Sequence, residues 1–168
     1  MPPRVILIGP PGAGKSSVGK SLARLLEDDF IDTDSVISAA ENQSISEIFV
    51  DKGEPYFRDL EIKVLLQQIA NHTGVLSLGG GAPLSDVAQE AIKNCNAPVV
   101  FLDVSLAGAA PRVGFNRDRP LLLGNPRAQW QELMNARRPI YESLAHHHVV
   151  TDKLTPNEAA KQIVTLLT

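Results

Sequence analysis

The sequence predicts an α/β fold built on a parallel sheet with helices on both faces. Two observations carry this. Short apolar runs alternate along the chain with longer stretches of helical periodicity. The first run also leads through a glycine-rich turn directly into the first helical stretch. Length agrees, because 168 residues bury one sizeable core and leave little for a second, so a single domain over 1–168 is expected.

The strand candidates are residues 5–8, 30–31, 75–78, 98–102 and 148–151. The first, Val5-Ile6-Leu7-Ile8, shows no polar alternation, as expected of a strand buried on both faces. Residues 15–26 carry Val18, Leu22, Leu25 and Leu26 on one helical face. Apolar residues repeat at helical spacing again over 60–69 and 159–167. Residues 106–125 hold Gly108, Pro111, Gly114, Pro120 and Gly124 and read as the least regular stretch, a loop over the domain.

Hydrophobic residues make up 43% and charged residues 21%, a globular balance that excludes a disordered chain. Sixteen basic residues against 19 acidic ones give a net charge of −3, which argues against a general nucleic-acid coat. One cysteine, Cys95, excludes an internal disulfide and a multi-cysteine zinc site, and fits a reducing compartment. No signal-like segment opens the sequence and no apolar run approaches the ~20 residues of a membrane span. A cytoplasmic protein without a membrane partner is therefore expected.

The strongest chemical signal is Gly9-Pro-Pro-Gly12-Ala13-Gly14-Lys15-Ser16, which matches G-x-x-x-x-G-K-[ST] between a strand and a helix. Glycines let backbone N–H groups converge on phosphate oxygens. The helix N-terminus adds unpaired N–H groups and a positive dipole end. Lys15 brings a mobile charge to the β- and γ-phosphates, and Ser16 a magnesium ligand. The motif implies a nucleoside triphosphate and leaves the acceptor open.

Asp32-Thr33-Asp34 follows the second strand candidate. One carboxylate could serve Mg²⁺ and the other an acceptor hydroxyl, or Asp34 could cap the helical residues 35–40. Arg58 is a bidentate carboxylate binder in type, and Glu61 three residues on could hold it; the pair could equally be a surface ion pair. Gly79-Gly80-Gly81 closes the third strand candidate, where either a close ligand or a sharp turn would need glycine. Six of nine arginines lie between 112 and 138 (Arg112, Arg117, Arg119, Arg127, Arg137, Arg138), a local anion site with Arg127 expected at the surface. No aromatic platform accompanies them, so no nucleic-acid partner is expected. Neighbouring strand residues face opposite ways, so His146-His147-His148 is not expected to bind one metal. Cys95 reads as structural or exposed, and Trp130 as packed on its helix rather than part of a site.

The ordered set GPPGAGKSS, DTD, FRDLE, LSLGGGAP, RDRPLL and RRPIYES resembles the shikimate kinase family over nearly the whole chain. The resemblance implies a P-loop, nucleoside-monophosphate-kinase-like fold with a five-stranded parallel sheet, an acceptor-binding helical region over about 33–61 and a mobile lid over about 112–125. It implies transfer of the ATP γ-phosphate to the shikimate 3-hydroxyl, with Mg²⁺, in aromatic amino acid biosynthesis, by a protein expected to be a monomer.

The resemblance assigns nucleotide binding to Gly12, Ala13, Gly14, Lys15, Ser16, Ser17, Arg112, Arg119 and Pro156. Ser16 and Asp32 would hold magnesium, and Lys15, Asp34 and Arg119 would act in catalysis. Arg58 and Arg137 would clamp the shikimate carboxylate, with Glu61 supporting Arg58. Gly79, Gly80 and Gly81 would bring backbone N–H groups to the acceptor, and Phe49 and Phe57 would line its pocket. Gluconate kinase is the competing enzyme. A nucleoside monophosphate kinase would need a base-reading segment, and none is evident. A slow nucleotide-gated binding module would leave Asp34, Arg58, Gly80 and Arg137 unexplained.

Overall fold

The computed structural model describes residues 2–114 and 125–168. Five strands form one parallel sheet: β1 (Val5–Ile8), β2 (Phe30–Asp32), β3 (Val75–Ser77), β4 (Val99–Asp103) and β5 (His147–Val150), in the order β2-β3-β1-β4-β5. Val5 pairs with Val75 on one side of β1, and Ile6 with Val99 on the other. Every residue of β1, β3 and β4 is buried, which is why β1 reads as an unbroken apolar run and β3 and β4 turn polar only at their last residues, Ser77 and Asp103. β5 is an edge strand and shows mixed burial instead.

Eight α-helices accompany the sheet among the described residues: α1 (Lys15–Leu26), α2 (Thr33–Glu41), α3 (Ile45–Lys52), α4 (Glu54–Asn71), α5 (Asp86–Asn94), α6 (Leu106–Val113), α7 (Pro126–Leu144) and α8 (Pro156–Leu167). α1 packs on α8, and α5 packs on both α4 and α7. None is long and apolar enough to cross a membrane. The chain winds from β1 to one side for β2 and β3, then to the other for β4 and β5. The loops at the carboxyl ends of the central strands diverge at such a switch and leave a crevice.

Sequence and structure agree closely on α1 and β1, while the other strands shift by about a residue at their ends, the usual uncertainty of boundaries. The loop expected over 106–125 needs correcting, because residues 106–113 form α6. Ser105 caps it by accepting from the Gly108 N–H at 3.2 Å, three alanines favour it, and Gly114 ends it in the left-handed region. Pro111 sits inside and removes only one bond of so short a helix.

A second, smaller core lies away from the sheet. Ile37 of α2, Ile48 of α3 and Phe57 and Val64 of α4 are buried together, with Phe49 and Leu60 against them. The Phe49 and Phe57 rings pack 4.9 Å apart. This cluster holds α2, α3 and α4 as one unit beside the crevice.

Candidate active site

The phosphate loop joins β1 to α1, and its carbonyls are tied down by side chains from across the fold. Lys15 Nζ donates to Gly9 O at 2.7 Å and Pro10 O at 3.1 Å. Trp130 Nε1 on α7 donates to Pro11 O at 2.9 Å, Arg112 Nη1 on α6 to Gly12 O at 3.1 Å, and Thr151 Oγ1 to Ala13 O at 2.8 Å. In a trans peptide the N–H points opposite to the C=O. Drawing the Pro11 and Ala13 carbonyls toward Trp130 and Thr151 therefore turns the Gly12 and Gly14 N–H groups the other way. Gly14 caps α1 at φ 91°, a conformation that suits glycine.

Residues 11–18 line a cavity of about 600 Å³, together with Asp32, Asp34, Leu78, Gly79, Gly80, Arg112, Thr151, Leu154 and Pro156. At its floor Ser16 Oγ donates to Asp32 Oδ2 at 2.6 Å. Asp32 also caps α2, its Oδ1 accepting from the Asp34 N–H at 2.9 Å. This is a correction in detail: Asp32 rather than Asp34 is the cap, and Asp34 stands in the first helical turn, where the dipole favours its charge. Arg112 is braced by Thr151 O at 2.7 Å. Pro156 opens α8 beside it, behind the Thr155–Glu158 capping box.

The three glycines after β3 make room for side chains of the protein itself. A Cβ on Gly79 would come within 2.9 Å of Asp34 Cγ, one on Gly80 within 3.3 Å of Arg137 Nη1, and one on Gly81 within 3.0 Å of Arg58 Cζ. Each glycine thus receives one of the expected acceptor-binding side chains. Gly79's N–H is already used, donating to Thr33 Oγ1 at 3.0 Å, which sets it apart from the N–H donors expected for an acceptor.

Arg58 is paired with buried Glu61 at 2.8 Å and with Glu54 at 3.4 Å. Burial pushes the Glu61 carboxyl above its ordinary range, and the Arg58 charge and hydrogen bond only partly oppose this. The guanidinium lies 5.3 Å over the Phe57 ring, so the smaller core carries one end of the site.

Arg137 and Arg138 part company on α7. Successive helical residues point about 100° apart. Arg137 is buried beside Gly80, whereas Arg138 forms a bidentate pair with Asp103 at 2.8 and 2.9 Å. His148 Nε2 meets the same carboxylate at 2.9 Å, and its ring stacks on Phe101. His146 Nδ1 accepts from the Val99 N–H at 3.0 Å, so two members of the histidine run have structural tasks. Cys95 is half-buried at the end of α5, its Sγ 3.2 Å from Ile92 O, and Arg127 is exposed.

Burial pushes the Asp103 carboxyl up, but the hydrogen bonds and charges of Arg138 and His148 outweigh it and hold the group below the ordinary carboxylate value of 3.8. A carboxyl depressed in the folded state stabilises above its unfolded value and loses that contribution as pH falls through the folded one. Urea unfolding followed from neutral to acid pH should thus show stability lost below about pH 3.8, and Asp103→Asn should flatten part of that loss. An acid limb unchanged by the substitution would remove Asp103 from the account.

Trp130 departs from expectation. It is buried on its helix, yet its indole N–H also holds the phosphate loop, so it belongs to the site's support. Thr151 was likewise missed, and no local motif marks either residue. Arg117 and Arg119 lie outside the described residues.

A parallel sheet with this loop after its central strand, and with carboxylates and arginines gathered at the neighbouring strand ends, defines a phosphate-loop kinase. The family model described as shikimate kinase matches residues 11–168. A shikimate kinase of Salinispora arenicola is 46% identical over 99% of each chain. The solved structure of the Acinetobacter baumannii shikimate kinase in complex with shikimate superposes with a TM-score of 0.93 at 33% identity, over 99% of this chain and 93% of that one. A gluconokinase from Sinorhizobium meliloti, at 18% identity and a TM-score of 0.59 over 99% of this chain and 91% of that one, shares the fold. The chain belongs to the shikimate kinase family, and is an ATP-dependent transferase of the kinase class.

Proposed function

We propose that this chain transfers the γ-phosphate of Mg-ATP to the 3-hydroxyl of shikimate. The observation that carries the reading is the matched trio at the end of β3: Asp34, Arg137 and Arg58 each abut one of three successive glycines, beside the phosphate loop. An acceptor with one carboxylate and several hydroxyls suits two arginines and a carboxylate. Arg58 and Arg137 grip the acceptor carboxylate while Glu61 steadies Arg58. Phe49 and Phe57 pack in the smaller core that carries Arg58 within the acceptor region of 33–61, and are assigned to the acceptor pocket from the sequence alone. Gly80 and Gly81 offer backbone donors. Asp34 orients the attacking hydroxyl and takes its proton as the bond to phosphorus forms.

On the nucleotide side, Gly12, Ala13, Gly14 and Ser17 surround the phosphates, and Lys15 neutralises the migrating group. Arg112 and Pro156 flank the base. Arg119, assigned from the sequence alone and outside the described residues, supplies a further charge to the migrating group. Ser16 and Asp32 fit Mg²⁺: two hard oxygen donors stand 2.6 Å apart at the cavity floor, and this ion takes few carboxylates beside water and phosphate. Bound there, it would neutralise phosphate charge. A monomer is part of the proposal, and the reading needs no membrane or nucleic acid. A cytoplasmic setting is part of the proposal.

The test is ADP release from Mg-ATP with shikimate, gluconate or mixed nucleoside monophosphates as parallel acceptors. Stimulation by shikimate alone is expected. Stimulation by gluconate instead, or ADP release indifferent to any acceptor, would overturn the reading. In the same assay Arg58→Ala is expected to raise the shikimate KM by at least tenfold, the scale of a lost charged hydrogen bond. An unchanged KM would remove Arg58 from the clamp.

A further inference from the structure

The Tyr141 hydroxyl has a task that neither phosphate transfer nor the acceptor clamp accounts for. Tyr141 is 0% exposed, and its ring packs 5.2 Å from that of Phe101. A buried phenol needs a hydrogen-bond partner. Here the hydroxyl donates to Gly80 O at 2.6 Å, across 61 residues of sequence. The Arg137 guanidinium, one helical turn earlier on α7, is a further polar neighbour, and the charges of Glu61 and Arg58 also act on the hydroxyl. Burial pushes the phenol up to about 12, with Arg137 opposing the rise, so the group stays protonated and donating at any working pH.

Three consecutive glycines hold their peptide planes poorly by themselves. Two buried hydroxyls from different elements peg this strap: Thr33 Oγ1 accepts from the Gly79 N–H, and Tyr141 donates to Gly80 O. Because C=O and N–H oppose each other in a trans peptide, fixing Gly80 O also fixes the direction of the Gly81 N–H.

We propose that Tyr141 is a positioning residue for recognition of the acceptor carboxylate, its hydroxyl holding the Gly80–Gly81 peptide and the Arg137 guanidinium in one register. It acts through these groups and does not touch the acceptor. The inference rests on the reading in which Arg137 grips the carboxylate.

Tyr141→Phe removes the hydroxyl and keeps the ring. The shikimate KM is expected to rise about five- to tenfold, the scale of one hydrogen bond, with the ATP KM within about twofold. With Arg137→Ala added, the combined loss should fall short of the product of the two separate losses. A lower melting temperature with both KM values unchanged, or a fully multiplicative double variant, overturns the proposal and leaves the clamp standing if Arg137→Ala alone raises the shikimate KM. If Arg137→Ala leaves that KM unchanged, the clamp itself fails and the proposal falls with it.

A second measurement does not depend on folding of the Phe variant. The chain has two tyrosines, so labelling with 3-fluorotyrosine gives two fluorine resonances, and Tyr56→Phe assigns them. Tyr56 lies at the surface against Glu41, outside the machinery. Shikimate should shift the Tyr141 resonance, and its methyl ester, which lacks the carboxylate, should shift it less. No shift with shikimate, or an equal shift with the ester, overturns the proposal.

Discussion

Lys15→Ala is expected to lower kcat by at least about 10³-fold, the upper end of what one preorganised donor contributes, and by more if the full charge acts on the migrating phosphate. The ammonium already donates to Gly9 O and Pro10 O, which holds it over the mouth of the phosphate loop. It keeps a flexible stem, so it can follow a phosphoryl group as charge moves during transfer. Alanine removes the charge and leaves the loop's other ties, to Trp130, Arg112 and Thr151, in place. The loss should therefore appear in kcat, with circular dichroism and shikimate affinity little altered. A kcat within tenfold of the parent would mean that the transferred phosphate does not pass Lys15.

Asp34→Asn is expected to lower kcat by about 10²- to 10⁴-fold, the range of general-base contributions. The substitution keeps shape and one accepting oxygen, so an asparagine can still orient a hydroxyl but cannot take its proton. Asp34 is held by its own backbone, the N–H donating to Asp32 Oδ1, so the exchange should leave the start of α2 intact. The shikimate KM is expected to change less than kcat. A parent-like kcat would reduce Asp34 to an orienting role.

The contiguous parts of this site were legible in the sequence because local chemistry demands them. A phosphate loop needs its glycines, lysine and serine in one run, and the buried strand before it needs unbroken apolar residues. Gly79-Gly80-Gly81 was legible only as a close approach. That the approaching atoms include Asp34, Arg137 and Arg58 emerges when β3 ends beside α2, α4 and α7. Arg137 and Arg138 are adjacent in the sequence, and their separation depends on Asp103, 35 residues before Arg138. Trp130, Tyr141 and Thr151 act on backbone carbonyls 119, 61 and 138 residues away, and a carbonyl has no sequence signature. Helix α6 was hidden by its proline and glycines, which read as loop chemistry until Ser105 is seen capping it.

The central claim is that one cleft holds the acceptor by its carboxylate, at Arg58 and Arg137, and thereby brings a single hydroxyl to Asp34 beside the phosphate loop. The regiochemistry of the product tests it most directly. Proton–phosphorus correlation NMR on the product from shikimate and Mg-ATP should show phosphorus coupled to the ring proton at position 3 and to no other. Phosphate at the 4- or 5-hydroxyl, or a mixture of positions, would contradict the account.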